Sequence, residues 1–460
     1  MRSCSDGLTM AIPPAAGPAK ARRNEKLGEI DLKASLRAAL AALMIPLAIP
    51  AAAAAPAASQ AASATEARID KGRIDKALAQ MVASGRAAGA SALIFRNGRE
   101  VYYGAAGHAD REAGAPMRRD TLFQIFSMTK PVTGVALMQL WEQRRFGLDD
   151  PLAMHLPEYA ATPVFAGMDG EGKPVLKAPS RPILVRDILR HTAGFAYGAG
   201  DSYPQRQFEA ARPLDLQHDL AEFSRRLATV PLLFEPGSKW HYSAAVDVQA
   251  RLVEKLSGLA FEDYVRAHIL DPLGMRETGW TQPRERLPRL AAAYRKGPGA
   301  TLERKPDAAT HALNFGPRKL TMGGAGLVSS IDEYMRFARM LLNGGSLDGV
   351  RILRPSTVRL MATDHLDPKV TERQWLGSKG SGGMGFNFFV RTAQPRSPDE
   401  NRGAVGEFFW DGAWSTLFWV DPANDLAAVF LVQTEPFDGS LHHDFRDAVY
   451  GPAYQGPKGD

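Results

Sequence analysis

Cysteine is almost missing from this chain: Cys4 is the sole example in 460 residues. It lies in an N-terminal stretch that reads as a removable leader, so the processed chain would carry none. That excludes a disulfide framework, a cysteine nucleophile, a thiolate metal site and a lipid-modified mature N-terminus. An excess of charge of one sign is also lacking. The formal net charge is +6, and residues 1–65 hold seven Lys/Arg against four Asp/Glu, which leaves about +3 for the remainder. A balance that small gives no electrostatic footprint for nucleic acid. Long apolar runs are lacking too. The one near the start, from Ala38, is interrupted by Pro46 and Pro50 and is too short for a comfortable membrane span, so no stable span is expected after processing. No Gly-x-Ser-x-Gly, Walker-type loop or His-Glu-x-x-His occurs, which argues against an α/β-hydrolase elbow, a nucleotide-binding loop and a zinc peptidase helix.

What is present begins with that leader. Lys33 and Arg37 precede the apolar run and small residues follow it to about Ala64, the pattern of a signal peptide and hence of a periplasmic or secreted protein. The alternative is an Ala/Pro-rich tail. Beyond residue 65, Ile69, Ile74, Leu78 and Met81 recur at near-helical spacing, and Asn97-Gly98 joins two apolar runs as a hairpin. Helical patterns such as "VRDILRH" and "AVDVQARLVEKLSG" dominate residues 126–319. Short aromatic and β-branched runs return near the end, in "GEFFWDG", "STLFWVDP" and "LAAVFLVQ", with a helical piece expected after Leu441. The expected fold is α/β in the α+β sense. A central antiparallel sheet built from 66–125 and 320–460 is flanked by helices, and a mainly helical part occupies 126–319.

The chemistry-bearing stretch is "FSMTKPVTG". Val132, Val135, Ala136 and Leu140 predict one buried helix face starting near Ser127, and Pro131 suits the first turn of that helix. Residues three apart on a helix are neighbours, so the Ser127 hydroxyl and the Lys130 amine can meet. A Ser-x-x-Lys arises by chance about once in a chain of this length, so the pair needs partners. Tyr242, just before a helix, could share the proton work of an activated serine. Trp410-Asp411-Gly412 lies where two strands approach, and an edge strand beside a serine can supply an N–H to an oxyanion, with Gly412 permitting the approach.

Taken in order, Ser127-Met-Thr-Lys130, "ILVRDILRHTAGF", "WHYSAAVDV", "GGAGLVSS", "LNGGSLDGVRIL" and "WDGAWSTLFWVDP" resemble the serine β-lactamase and penicillin-binding-protein-like superfamily. Within it the chain is most similar to the class C β-lactamase-like esterases, the family VIII carboxylesterases, and to related acyltransferases. The resemblance covers about residues 70–455. It implies a β-lactamase/transpeptidase-like fold and an acyl-enzyme on Ser127, with Lys130 and Tyr242 as the base pair. It also implies an oxyanion hole from the backbone N–H groups of Ser127 and Ala413, and a substrate-binding strand carrying Trp410, Asp411, Gly412 and Trp414. The activity implied is hydrolysis of small-molecule carboxylic esters, without metal or other cofactor. β-Lactamase, D-alanyl-D-alanine carboxypeptidase and acyltransferase activities are the alternatives on the same fold, and an inactive binding module is a more distant one.

Two positions depart from the β-lactamases. Ala244 stands where they usually have asparagine, and Trp410 where they have lysine. Ala244 cannot hydrogen-bond an amide side chain of the substrate and Trp410 offers no cation for a β-lactam carboxylate, which favours neutral esters. His442-His443-Asp444 lacks a third spaced ligand and reads as surface rather than a metal site. His191, in "RHTAGF", belongs to a structural turn beside the cleft in the resemblance.

Overall fold

The computed structural model describes residues 69–198 and 200–454. The leader and Cys4 lie outside them. Helix α1 (Lys71–Ala83) starts where the Asp70 carboxylate accepts the amide of Arg73, and it buries Ile74, Leu78 and Met81. Strands β1 (Gly89–Arg96) and β2 (Arg99–Asp110) join through Asn97 and Gly98, at φ 52° and 72°. Those left-handed values are the ones a two-residue hairpin turn requires. A short β3 (Ala115–Pro116) ends this first block.

The chain then leaves the sheet for α2 (Thr129–Glu142), α3 (Ala245–Ser257) and α4 (Ile331–Leu342). It returns as β4 (Gly382–Met384), β5 (Phe389–Arg391), β6 (Phe408–Asp411), β7 (Leu417–Asp421) and β8 (Leu426–Leu431), closing with α5 (Gly439–Tyr450). These eight strands form one antiparallel sheet in the order β4-β5-β6-β7-β8-β1-β2-β3. The β1/β8 seam, from Ser91↔Leu431 to Arg96↔Leu426, is where the two ends of the chain complete the sheet that the sequence anticipates.

Alternation along β7 decides what lies on each face. Phe418 packs on Tyr334 and Phe337 of α4, and Trp419 on Phe445 and Tyr450 of α5, so the two helices cover opposite faces. In β6, Trp410 pairs with Phe418 and Phe409 with Trp419. Trp410 therefore shares the α4 face, whereas Phe409 and Asp411 look toward α5.

Helix α2 departs from the single apolar face read from its spacing: all but three of its fourteen residues are buried, including Lys130 and Thr133. It threads the middle of one apolar core that continues into both the sheet and the helical part. Each fully buried side chain such as Val132 or Leu137 contributes about 1.5–3 kcal/mol. Gly134 lets Asn387 come close, since a Cβ there would lie 2.5 Å from the Asn387 amide nitrogen. Asn387 and Gln249 of α3 exchange hydrogen bonds of 2.7 and 3.1 Å, satisfying both buried amides.

Candidate active site

Ser127 sits in a single 3-10 turn, Phe126–Met128, that runs straight into α2. Phe126 adopts φ 44°, a left-handed value that costs a non-glycine residue about 1–3 kcal/mol and persists only where the surroundings impose it. They do so here: Ile125 donates its N–H to Leu327 O, and the Tyr334 hydroxyl donates to Met128 O. The turn delivers the serine hydroxyl to two partners. Lys130 Nζ donates to Ser127 Oγ at 3.1 Å, and Tyr242 Oη lies 2.7 Å from the same oxygen.

Lys130 is only 1% exposed, and its Nζ also donates to Gly324 O at 2.6 Å. Burial pulls its pKa down to about 8, against the opposing pull of the Asp247 and Asp411 carboxylates. Tyr242 behaves differently, because burial pushes its phenol well above the usual range and keeps it protonated. Rings enclose it: Trp410 stacks at 5.8 Å, with His191 at 5.0 Å, Trp375 at 5.2 Å and Tyr197 at 5.7 Å. Its backbone N–H donates to Gln374 Oε1 at 3.0 Å.

Sequence reasoning missed the group that organises Lys130. Asp247, five residues beyond Tyr242 on α3, is 2% exposed and accepts the N–H of Gly324 at 3.0 Å. The Gly324 carbonyl in turn receives Lys130, and Gly323 O receives the Thr133 hydroxyl at 2.7 Å. A Cβ on Gly324 would lie 2.9 Å from Asp247 Oδ2 and 3.2 Å from Lys130 Nζ, so glycine keeps the carboxylate and amine close. The available signal was an acid set among the buried positions of α3, beside Val246 and Ala250.

The charged or titratable groups that act on Lys130 are the carboxylates of Asp247 from α3 and, through its charge, Asp411 from β6, with the neutral His191 and the phenols of Tyr242 and Tyr197. Asp247→Asn keeps an oxygen for Gly324 but deletes a negative charge, so the neutral amine becomes easier to form. The rise of kcat/KM with pH, governed by loss of the Lys130 proton, is expected to move to lower pH in that variant. A pH–rate profile with an unmoved acid limb would mean that the carboxylate only holds the loop.

The strand carrying Trp410-Asp411-Gly412 is assembled more tightly than its sequence suggests. Trp410, expected in the substrate wall, is 1% exposed and is spent on stacking against Tyr242. Asp411, expected to meet substrate, instead forms a buried ion pair with Lys379, whose Nζ also lies 5.0 Å from the rings of both Trp410 and Trp375. The alternation of β6 is the reason, since Asp411 points to the α5 face. Gly412 is needed for close approach: a Cβ would fall 2.5 Å from Ile125 O, two residues before the serine. Ala413 is exposed beyond it. The buried Trp414 ring packs 4.3 Å from Phe126, and its Nε1 donates to Glu435.

His191 lies in a turn at φ 59°, directly under Tyr242. Its carbonyl accepts the His241 N–H, and burial keeps the ring neutral. His442 is not the surface residue expected but is 3% exposed, donating through Nε2 to Ser415 O. His443 turns away to Pro398 O. Tyr197, Trp375 and Lys379 carried no sequence signal, because irregular segments and a short 3-10 turn (Leu376–Lys379) bring them in. Among the described residues no helix is long and apolar enough to cross a membrane.

Known proteins resemble this chain over most of its length. An uncharacterized protein of Mycobacterium tuberculosis is 35% identical over 373 residues, 80% of this chain and 90% of its own length. Esterase EstB of Burkholderia gladioli is 31% identical over 401 residues, covering 82% and 94%. The solved structure of EstCE1, described as a hydrolase with promiscuous acyltransferase activity, superimposes with a TM-score of 0.68 at 29% identity, over 83% of this chain and 98% of its own. With the family model described as Beta-lactamase matching residues 74–450 in addition, the chain belongs to the beta-lactamase family.

Proposed function

We propose that this chain is a serine hydrolase that cleaves neutral carboxylic esters through an acyl-enzyme on Ser127. The observation that carries the reading is the convergence on Ser127 Oγ of Tyr242 Oη at 2.7 Å and of a buried Lys130 amine, pKa about 8, at 3.1 Å. An amine with that proton affinity is partly neutral near pH 8 and can take the serine proton. Oγ then bonds to the ester carbonyl carbon, and the Ser127 and Ala413 N–H groups receive the negative oxygen. As the bond from carbon to the alcohol oxygen breaks, the proton passes through Tyr242 to the departing oxygen. Water repeats the sequence in reverse to free the acid. Tyr242, whose phenol is held protonated, serves as a relay, and Lys130 is the group that changes charge.

The substrate class follows from the cation near the Trp410-Asp411-Gly412 strand. Lys379, the cation beside Trp410, has its charge balanced by Asp411 and is surrounded by Trp375, Trp410 and Phe437, so it attracts a substrate carboxylate less than an unpaired lysine would. Ala244 offers only a buried methyl group. Esterase EstB, 31% identical, supports the same reading. The expected kcat/KM for p-nitrophenyl butyrate exceeds that for nitrocefin by at least ~100-fold, the scale of one missing charge-assisted contact and one missing amide contact. Comparable values for the two substrates would defeat it. An alcohol replacing water in the second half-reaction would yield acyl transfer, as EstCE1's description includes. The apolar run from Ala38 supports export to the periplasm or beyond, testable by N-terminal sequencing of the chain recovered from that fraction.

A further inference from the structure

Several large apolar side chains of the described residues are exposed, and Trp375, at 37%, is the one whose ring meets Tyr242. It stands on the segment between Met361 and Gly382, which is fastened at three points to the stretch that carries Tyr242. Trp240 N donates to Glu372 O at 2.9 Å, Lys239 pairs with the Glu372 carboxylate at 2.6 Å, and Tyr242 N donates to Gln374 Oε1 at 3.0 Å. The indole itself is held edge-on against Trp240 at 5.1 Å and Tyr242 at 5.2 Å, and Lys379 sits over it at 5.0 Å. A tryptophan fixed by so many neighbours yet still one-third open to solvent presents a rigid aromatic surface, and binding to it loses little side-chain entropy.

Its position says which part of an ester would meet that surface. Tyr242 returns the proton to the departing alcohol oxygen, so the alcohol half of the substrate lies on the Tyr242 side of the carbonyl. The strand side is occupied by Trp414 packed on Phe126. Resting on the acyl-enzyme reading above, we propose that Trp375 forms the wall of the alcohol pocket and selects esters whose alcohol half carries a flat aromatic ring. The same wall would receive an aromatic alcohol as acyl acceptor, since the second half-reaction retraces the first.

Benzyl butanoate and cyclohexylmethyl butanoate test this with the full-length protein, because they match in size and in the basicity of the departing alkoxide and differ in flatness. The wild type is expected to favour the benzyl ester in kcat/KM by about three- to tenfold, the range of an aromatic pair beyond its apolar area. Trp375→Leu retains apolar area and should bring the ratio near unity, chiefly through KM, whereas Trp375→Phe should keep most of the preference. A wild-type ratio near one, or a Leu variant with the ratio intact, would overturn the assignment. The wild-type ratio decides the matter even if the Leu variant fails to fold. Fluorophosphonate labelling of Ser127 reports on the nucleophile separately. An unlabelled wild type would sink the acyl-enzyme reading, whereas a labelled one with no aromatic preference sinks only the role of Trp375.

Discussion

Ser127→Ala is expected to abolish fluorophosphonate labelling and to lower esterase kcat by at least ~1000-fold, the scale seen when a covalent nucleophile is deleted. No nearby group can substitute. Of the two groups that touch Oγ, Lys130 is held by Gly324 O and Tyr242 is enclosed by aromatic rings. The fold should survive. The hydroxyl accepts two hydrogen bonds, and its loss costs about 1–3 kcal/mol for the orphaned donors. Circular dichroism and the melting temperature check that point, and intact protein mass after labelling checks the chemistry. An alanine variant that still turns over ester at a tenth of the wild-type rate would remove Ser127 from the mechanism.

Lys130→Arg carries the second large effect, a fall in kcat/KM of about 10²- to 10⁴-fold, the usual contribution of a general base. The substitution keeps the positive charge and hydrogen-bonding capacity but discards the ability to become neutral, because a guanidinium stays protonated in proteins. Sign matters here. Burial lowers the pKa of Lys130 to about 8, so the active, neutral form grows as pH rises through that value, and the wild-type profile should climb from neutrality toward pH 9. The arginine variant should show a flat, low profile over that range. If it instead retained the wild-type limb, another group would be the base, and Tyr242→Phe would then be the variant to lose the limb. The larger guanidinium also enters a site where Lys130 is 1% exposed, so melting temperature must accompany the kinetics.

Much of the architecture was legible because local rules dominate it. Asn97-Gly98 demanded left-handed backbone and therefore a hairpin, and the aromatic and β-branched runs near the C-terminus had no better fate than strands. Ser127 and Lys130 were legible for the same reason: three residues apart at a helix start are neighbours whatever the rest of the chain does. Trp410 and Asp411, expected as substrate contacts, are buried against Tyr242 and Lys379, and alternation tells that neighbours oppose each other but not what each face packs on. Pairing of Trp410 with Phe418, and the packing of Phe418 on α4, decides that.

By itself, then, the sequence determined that Ser127 and Lys130 are neighbours, that the two ends of the chain form sheet and that the middle is helical, since each rests on contacts within a few residues or on a repeating pattern. Tertiary structure alone decided the proton affinity of Lys130, which depends on burial and on Asp247 more than a hundred residues away. It also decided that Asp411 is consumed by Lys379 and that Trp375 stands open beside Tyr242. Electrostatic shifts and pocket walls arise from groups distant in the chain and adjacent in space, and no spacing along the sequence encodes them.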